Sequence, residues 1–170
     1  MQRSTQRNLG GAVAVTSAPG GTSRAIFWGG ALCGCLDISA AFIVYGFFGA
    51  RPIPLLQGVA AGLLGPSARE GGLATAVLGL ACHFFIAFSA AIVYVMASRT
   101  IPLLASHPLV CGPLYGVAVY FFMSRVVVPL SAARKSPFSL KMTLIGIAIH
   151  MICVGSPIAW ATHRFSDAHA

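Results

Sequence analysis

The sequence predicts an all-α membrane protein, a four-helix transmembrane bundle with a short interfacial or re-entrant helix between its first two spans. Three observations predict it. Of 170 residues, 57% are hydrophobic and only 8% are charged, against roughly 25% charged in a soluble domain. The apolar residues gather in four runs, each longer than the roughly 20 residues that cross a hydrocarbon core of about 30 Å. The runs are continuous, without strand-like alternation, and inside lipid only helices or closed barrels satisfy the backbone.

Residues 1–24 are rich in Ser, Thr, Gly and Gln and read as a polar N-terminal tail. No small-residue cleavage site follows a short apolar core, so a removable signal peptide is not expected. The membrane domain covers 25–164, with spans at about 25–49, 72–97, 109–130 and 139–162, and 165–170 form a C-terminal tail. Between the first two spans, Ile53 to Gly65 is apolar, bracketed by Pro54 and Pro66, and too short to cross. Ser67-x-x-Glu70 has the spacing of a capping box that would open the second span. The remaining loops, Ser98 to Pro108 and Ser131 to Pro137, are short and make neighbouring spans antiparallel.

Eleven basic and three acidic residues give a net charge of +8. Arg24, Arg51, Arg69, Arg99, Arg134, Lys135, Lys141 and Arg164 stand at the ends of apolar runs, where basic side chains snorkel to lipid headgroups. Membrane lipids are therefore the expected partner. Nucleic acid is not, because basic and aromatic residues do not interleave. Arg3, Arg7, Arg24, Arg99 and Arg164 fall on one side and Arg51, Arg69, Arg134, Lys135 and Lys141 on the other, an even split that gives the positive-inside rule no bias. The five cysteines, Cys33, Cys35, Cys82, Cys111 and Cys153, lie inside apolar runs without a CxxC pair and read as small packing residues. The sequence carries no catalytic Ser/His/Asp spacing, phosphate loop or paired carboxylates, so an enzyme is the least favoured class.

Charged and titratable residues inside a membrane are costly, and each is a functional candidate by default. Here they are Asp37 in the first span, His83 in the second, Arg125 in the third and His150 in the fourth. Asp37, His83, Tyr120 and His150 stand near mid-span and are predicted to form one intramembrane polar layer, with Arg125 beside it. Three, four and seven positions from Asp37 lie Gly30, Cys33, Gly34, Ala40 and Ala41; His83 has Ala76, Gly79, Ala87 and Ala90; His150 has Thr143, Gly146, Cys153 and Pro157. Small residues mark helix contacts in membranes, so these polar groups are expected to point inward. Gly30-xxx-Gly34 and Gly112-xxx-Gly116 add two close-approach motifs, and such faces also suit a homo-oligomer. Gly79-x-Ala81-x-His83 returns as Gly146-x-Ala148-x-His150, and Cys33-Gly34-x-Leu36 as Cys111-Gly112-x-Leu114, the trace of a two-span repeat.

The layer has three readings. In the first it is structural: Arg125 leans toward its helix N-terminus and pairs with Asp37, while the histidines bond to Tyr120, Tyr115, Ser89 or backbone. In the second, Asp37, His83 and His150 relay protons in a small proton- or ion-linked transporter. In the third, Asp37, His83 and His150 ligate a transition metal, or the two histidines a b-type haem. No cofactor is predicted, and the preferred reading is a non-enzymatic multi-pass membrane protein with a structural layer.

From His83 onward, "HFFIAFSAAIVYVMASRTIP", "GPLYGVAVYFFMSRVVVPL" and "GIAIHMICVGSPIAWATHRF" resemble the YagU-like family of uncharacterised bacterial inner-membrane proteins, over roughly half the chain. The resemblance implies a multi-pass protein of the bacterial inner (cytoplasmic) membrane, without an established activity, and directs attention to His83 and His150. The first span departs from the family pattern, so Asp37 rests on the residue reading alone.

Overall fold

A computed structural model describes residues 19–133 and 138–166. The tail through residue 18, Arg134, Lys135 and residues 167–170 lie outside the described residues. The described chain is helical: α1 (Pro19–Gly46), α2 (Pro52–Leu64), α3 (Gly72–Thr100), α4 (Leu103–Ser106), α5 (Pro108–Leu130) and α6 (Leu140–Ser166). Four of them, α1, α3, α5 and α6, are long and apolar enough to cross a membrane. The chain is thus a membrane protein built as a four-helix bundle.

Helix α1 is already formed six residues before the predicted first span. The added turn holds Thr22, whose hydroxyl receives a hydrogen bond from Arg99 Nη2 at the end of α3 (2.6 Å). The capping box is not used. Ser67 lies in a 3₁₀ turn, Gly65–Arg69, and donates to the Leu64 carbonyl (2.8 Å). Helix α3 begins at Gly72, as the second span predicts, but after Gly71 and without a side-chain cap. Pro66 accounts for this: the segment turns tightly around it, before any helix pointing across the membrane has begun.

Helix pairing follows the small residues. A Cβ on Gly30 or Gly34 would strike the rings of Phe88 and Phe84, so α1 and α3 run antiparallel with the rings laid on bare backbone. Gly29 faces Ile158 and Ala161 of α6, which, as the fourth of four successive spans, runs antiparallel to α1 as well. Helices α5 and α6 cross backbone to backbone: a Cβ on Gly116 would meet the His150 carbonyl, and one on Gly155 the Gly112 carbonyl. Both close-approach motifs are therefore occupied within one chain. The shared core is Cys33, Ala87, Ala91, Tyr94, Val154, Ile158 and Ala159. Large apolar side chains such as Phe47, Leu109 and Leu130 face outward, as lipid allows.

Helix α2 is 13 residues, about 20 Å at about 1.5 Å per residue, too short to cross. It packs along the first half of α3, where Gly79 lets the Leu56 carbonyl approach. Gln57, buried, donates through Nε2 to the Gly72 carbonyl (2.9 Å) and to Thr75 Oγ1 (3.4 Å), while Thr75 donates to the Ala68 carbonyl (2.6 Å). At its far end the Gly62 carbonyl accepts from Ala132 N, beyond α5 (2.9 Å). Lys141 Nζ sits 4.9 Å from the Phe48 ring, so a cation and an aromatic mark this side of the bundle.

Gly116→Ala is expected to lower stability by about 1–3 kcal/mol, because the methyl has no room at the α5–α6 crossing. Gly58→Ala, in open space on α2, should be neutral or stabilising, since alanine exceeds glycine in helix propensity by up to about 1 kcal/mol. Thermal unfolding of both variants in detergent tests the contrast.

Candidate functional site: an intramembrane Asp–His cavity

Three spans bring their titratable residues to one depth. Asp37 lies nine residues before Gly46 (46 − 37), His83 eleven after Gly72 (83 − 72) and His150 ten after Leu140 (150 − 140). At about 1.5 Å per residue, each is about 14–17 Å from the end of its helix on the α2 side. Together they line a cavity of about 130 Å³ with Cys33, Val59, Ile86, Ala87, Ala90, Val119, Met123 and Val154. At about 30 Å³ per water in the liquid, that is room for about four waters. Val59 belongs to α2, so the short helix between the first two spans supplies one wall of the cavity.

His83 is the most constrained of the three. Its Nε2 lies 2.9 Å from the Gly34 carbonyl of α1. A carbonyl only accepts, so Nε2 carries the hydrogen and donates. The other ring nitrogen, Nδ1, is 4.0 Å from Asp37 Oδ2, an ion-pair distance, with both side chains largely shielded. Gly34 serves twice: its missing side chain admits the Phe84 ring, and its carbonyl, one turn before Asp37, orients the imidazole beside the carboxyl.

His150 is held by its own helix. Its Nδ1 is 2.9 Å from the Gly146 carbonyl and donates to it, which leaves Nε2 as an acceptor. The Tyr120 ring packs edge-on against the imidazole at 5.4 Å between centroids and lies over Gly146. The two histidines of the repeated Gly-x-Ala-x-His segment thus line one cavity through opposite tautomers, one fixed by a neighbouring helix and one by its own.

Helix geometry changes at this level. From His150 to Gly155, α6 widens into a π-helical turn. Pro157, without an N–H, cannot continue the α pattern. The Met151 carbonyl accepts both the Ser156 N–H and the Ser156 hydroxyl (2.7 Å), which closes the wider turn. A second π turn, Met123–Val127, precedes Pro129 in α5.

Arg125 stands on that second turn and is exposed on the outer face of α5. The expected Asp37–Arg125 pair is replaced by Asp37–His83. Helix α1 also packs on α3 and α6, with α6 between it and α5. Tyr115 and Ser89 likewise serve elsewhere: Tyr115 donates to the Ala90 carbonyl and Ser89 to the Phe85 carbonyl, both at 2.8 Å. Among the described residues, no three His, Cys, Asp or Glu side chains converge to hold a metal ion, and all five cysteines are free thiols.

Sequence reasoning missed Cys33, Val59 and Met123 as cavity walls. Cys33 was legible, four residues before Asp37 on the same face. Val59 and Met123 carry no chemical signal. The π turns had one in the prolines that follow them.

The chain matches no protein-family model, no curated protein and no solved structure.

His83→Phe is expected to cost about 1–3 kcal/mol, because it strands the Asp37 carboxyl in a largely apolar setting. Adding Asp37→Leu should recover part of that loss. Unfolding of the parent, both single variants and the double variant closes the cycle; strictly additive losses are incompatible with the pairing.

Proposed function

We propose that the protein is a small membrane transporter that moves protons, or exchanges another solute for them, through the Asp37–His83–His150 cavity. The observation that carries this reading is the cavity itself, shared by three titratable side chains from three spans at one depth. A carboxyl at the centre of a membrane helix costs about 2.5–3.5 kcal/mol on insertion scales. A layer that served packing alone would close around such a group. Here the carboxyl and both imidazoles border space for water instead.

The two nitrogens committed to backbone carbonyls supply the rest of the chemistry. With His83 Nε2–H engaged, Nδ1 faces a carboxylate, and one proton held between them leaves the pair neutral wherever it resides. His150 Nε2, an acceptor on the same cavity, is the place from which that proton comes or to which it goes. Waters in the cavity would bridge the gap between the rings. The resemblance of the second half to bacterial inner-membrane proteins supports a site in that membrane, where a proton gradient is the usual driving force. The cavity suits waters or a small ion and is far smaller than a haem, so the relay is favoured over a tetrapyrrole.

In proteoliposomes containing a pH-sensitive dye, the parent protein should dissipate an imposed pH gradient faster than empty liposomes. Asp37→Asn, close in size but unable to carry the charge, should cut that rate by at least about tenfold, the scale of a lost proton-transfer group. Equal rates for parent and variant, or a parent no faster than empty liposomes, would sink the reading.

A further inference from the structure

The cavity has a neighbour. Side chains bridge α3 and α5 at Tyr94 and Tyr115, whose rings meet edge to face at 4.9 Å between centroids, and Tyr115 also donates to the Ala90 carbonyl. From there a cleft of about 470 Å³ opens between the two helices, walled by Phe85, Ser89, Val93, Ala118, Phe122 and Val127 among others. That volume lies within the range of small-molecule sites, about 300–1,000 Å³. The cleft and the cavity share Ile86, Ala90, Val119 and Met123. An apolar slot on the outer side of the bundle therefore lies against a titratable site, with those four side chains as their common wall.

The hydrogen-bonding character of the cavity selects what could occupy both. Each imidazole has committed one N–H to a backbone carbonyl. What remains is the Asp37 carboxyl, His83 Nδ1 and His150 Nε2, all acceptors when the proton of the pair is absent. Of the other walls, α1 offers only the weak S–H of Cys33, α2 only Val59 and α5 only Val119 and Met123. Beyond the walls, Tyr45 on α1 and Cys153 on α6 lie within electrostatic reach of Asp37, and Tyr120 on α5 meets the edge of His150. A set of acceptors around one carboxylate fits a cation rich in N–H donors and repels an anion. At the mouth, Phe85 is 74% exposed and Phe122 57%, two rings whose faces favour a passing cation.

We infer that the α3–α5 cleft and the Asp37–His83–His150 cavity form one binding site for a lipophilic amine, with the ammonium at Asp37 and His150 and the apolar body in the cleft. The inference rests on the proton-linked reading and names its exchanged solute. The exchange balances in charge: the site releases the proton of the Asp37–His83 pair and takes up one ammonium, with no covalent bond to the amine made or broken.

Octylamine, octanol and octanoate share a tail and differ in head, so titration calorimetry of the full chain in dodecylmaltoside micelles, against empty micelles, tests the assignment. Octylamine should bind one per chain, at least about tenfold tighter than octanol, with octanoate undetectable. Repeating the titration in buffers of different ionisation enthalpy should show up to one proton released per amine. Affinity should fall as pH is lowered, because proton and ammonium compete. Asp37→Asn should abolish the release and weaken binding at least tenfold. Ala118→Trp and, from the opposite wall, Ser89→Trp should fill the cleft and weaken octylamine at least tenfold, whereas Leu114→Trp, outside the cleft, should stay within about twofold. Octanoate binding as tightly as octylamine, octylamine binding unaffected by both cleft variants, or no binding above empty micelles would each overturn the inference. Amine binding in a protein that dissipates no pH gradient would instead overturn the transport reading and leave this site standing.

Discussion

Lipid offers no hydrogen bonds, and the architecture of this chain follows from that refusal. Among the described residues, no buried side-chain nitrogen or oxygen lacks a partner. Ser98, Thr162 and Ser156 each turn back to a carbonyl of their own helix. Tyr94 reaches the Leu104 carbonyl in α4, and His163 the Ala105 carbonyl. The same demand divides each central imidazole into two unlike nitrogens. One is committed to structure, and the other is left to chemistry.

Small residues decide where the backbones approach, and so which polar groups meet. Gly34 brings α1 close enough for its carbonyl to hold His83. Gly116 and Gly155 bring α5 and α6 together around the His150 turn. Gly79 admits α2, which then places Val59 at the floor of the cavity. In water such contacts would be driven by apolar burial. In lipid they depend on close packing and on hydrogen bonds across the seam.

Much of this was legible in the sequence because lipid simplifies the code. The four spans, the short helix between them and the inward faces of Asp37, His83 and His150 all follow from the cost of polar groups in hydrocarbon. The partner of Asp37 did not. Depth along a helix is written in residue number, but partner choice depends on which helices adjoin and on rotation about each axis. Arg125 was at a suitable depth but on the outer face of its helix, exposed and turned away from the layer. Helix α3 starts at Gly72, where the second span was expected to begin, but the expected cap is not there: Ser67 and Glu70 have the spacing of one, yet Pro66 makes that segment a tight turn. The place of α2 was half legible, since length excludes crossing but does not say that Val59 would wall the cavity.

The widened turn of α6 means that one segment of the helix holds more residues per turn than its neighbours. Above and below it, the two halves of α6 are out of phase with a continuous α-helix by roughly one residue, or about 100°. Ile158 and Ala161 below face α1, while Gly146 above faces Tyr120, and both faces are correct only with that offset. Loss of a single codon between 151 and 155 would straighten the helix and swing one of those faces out to lipid. The number of residues between His150 and Pro157 is thus a structural requirement in its own right, separate from the identity of the apolar residues inside it.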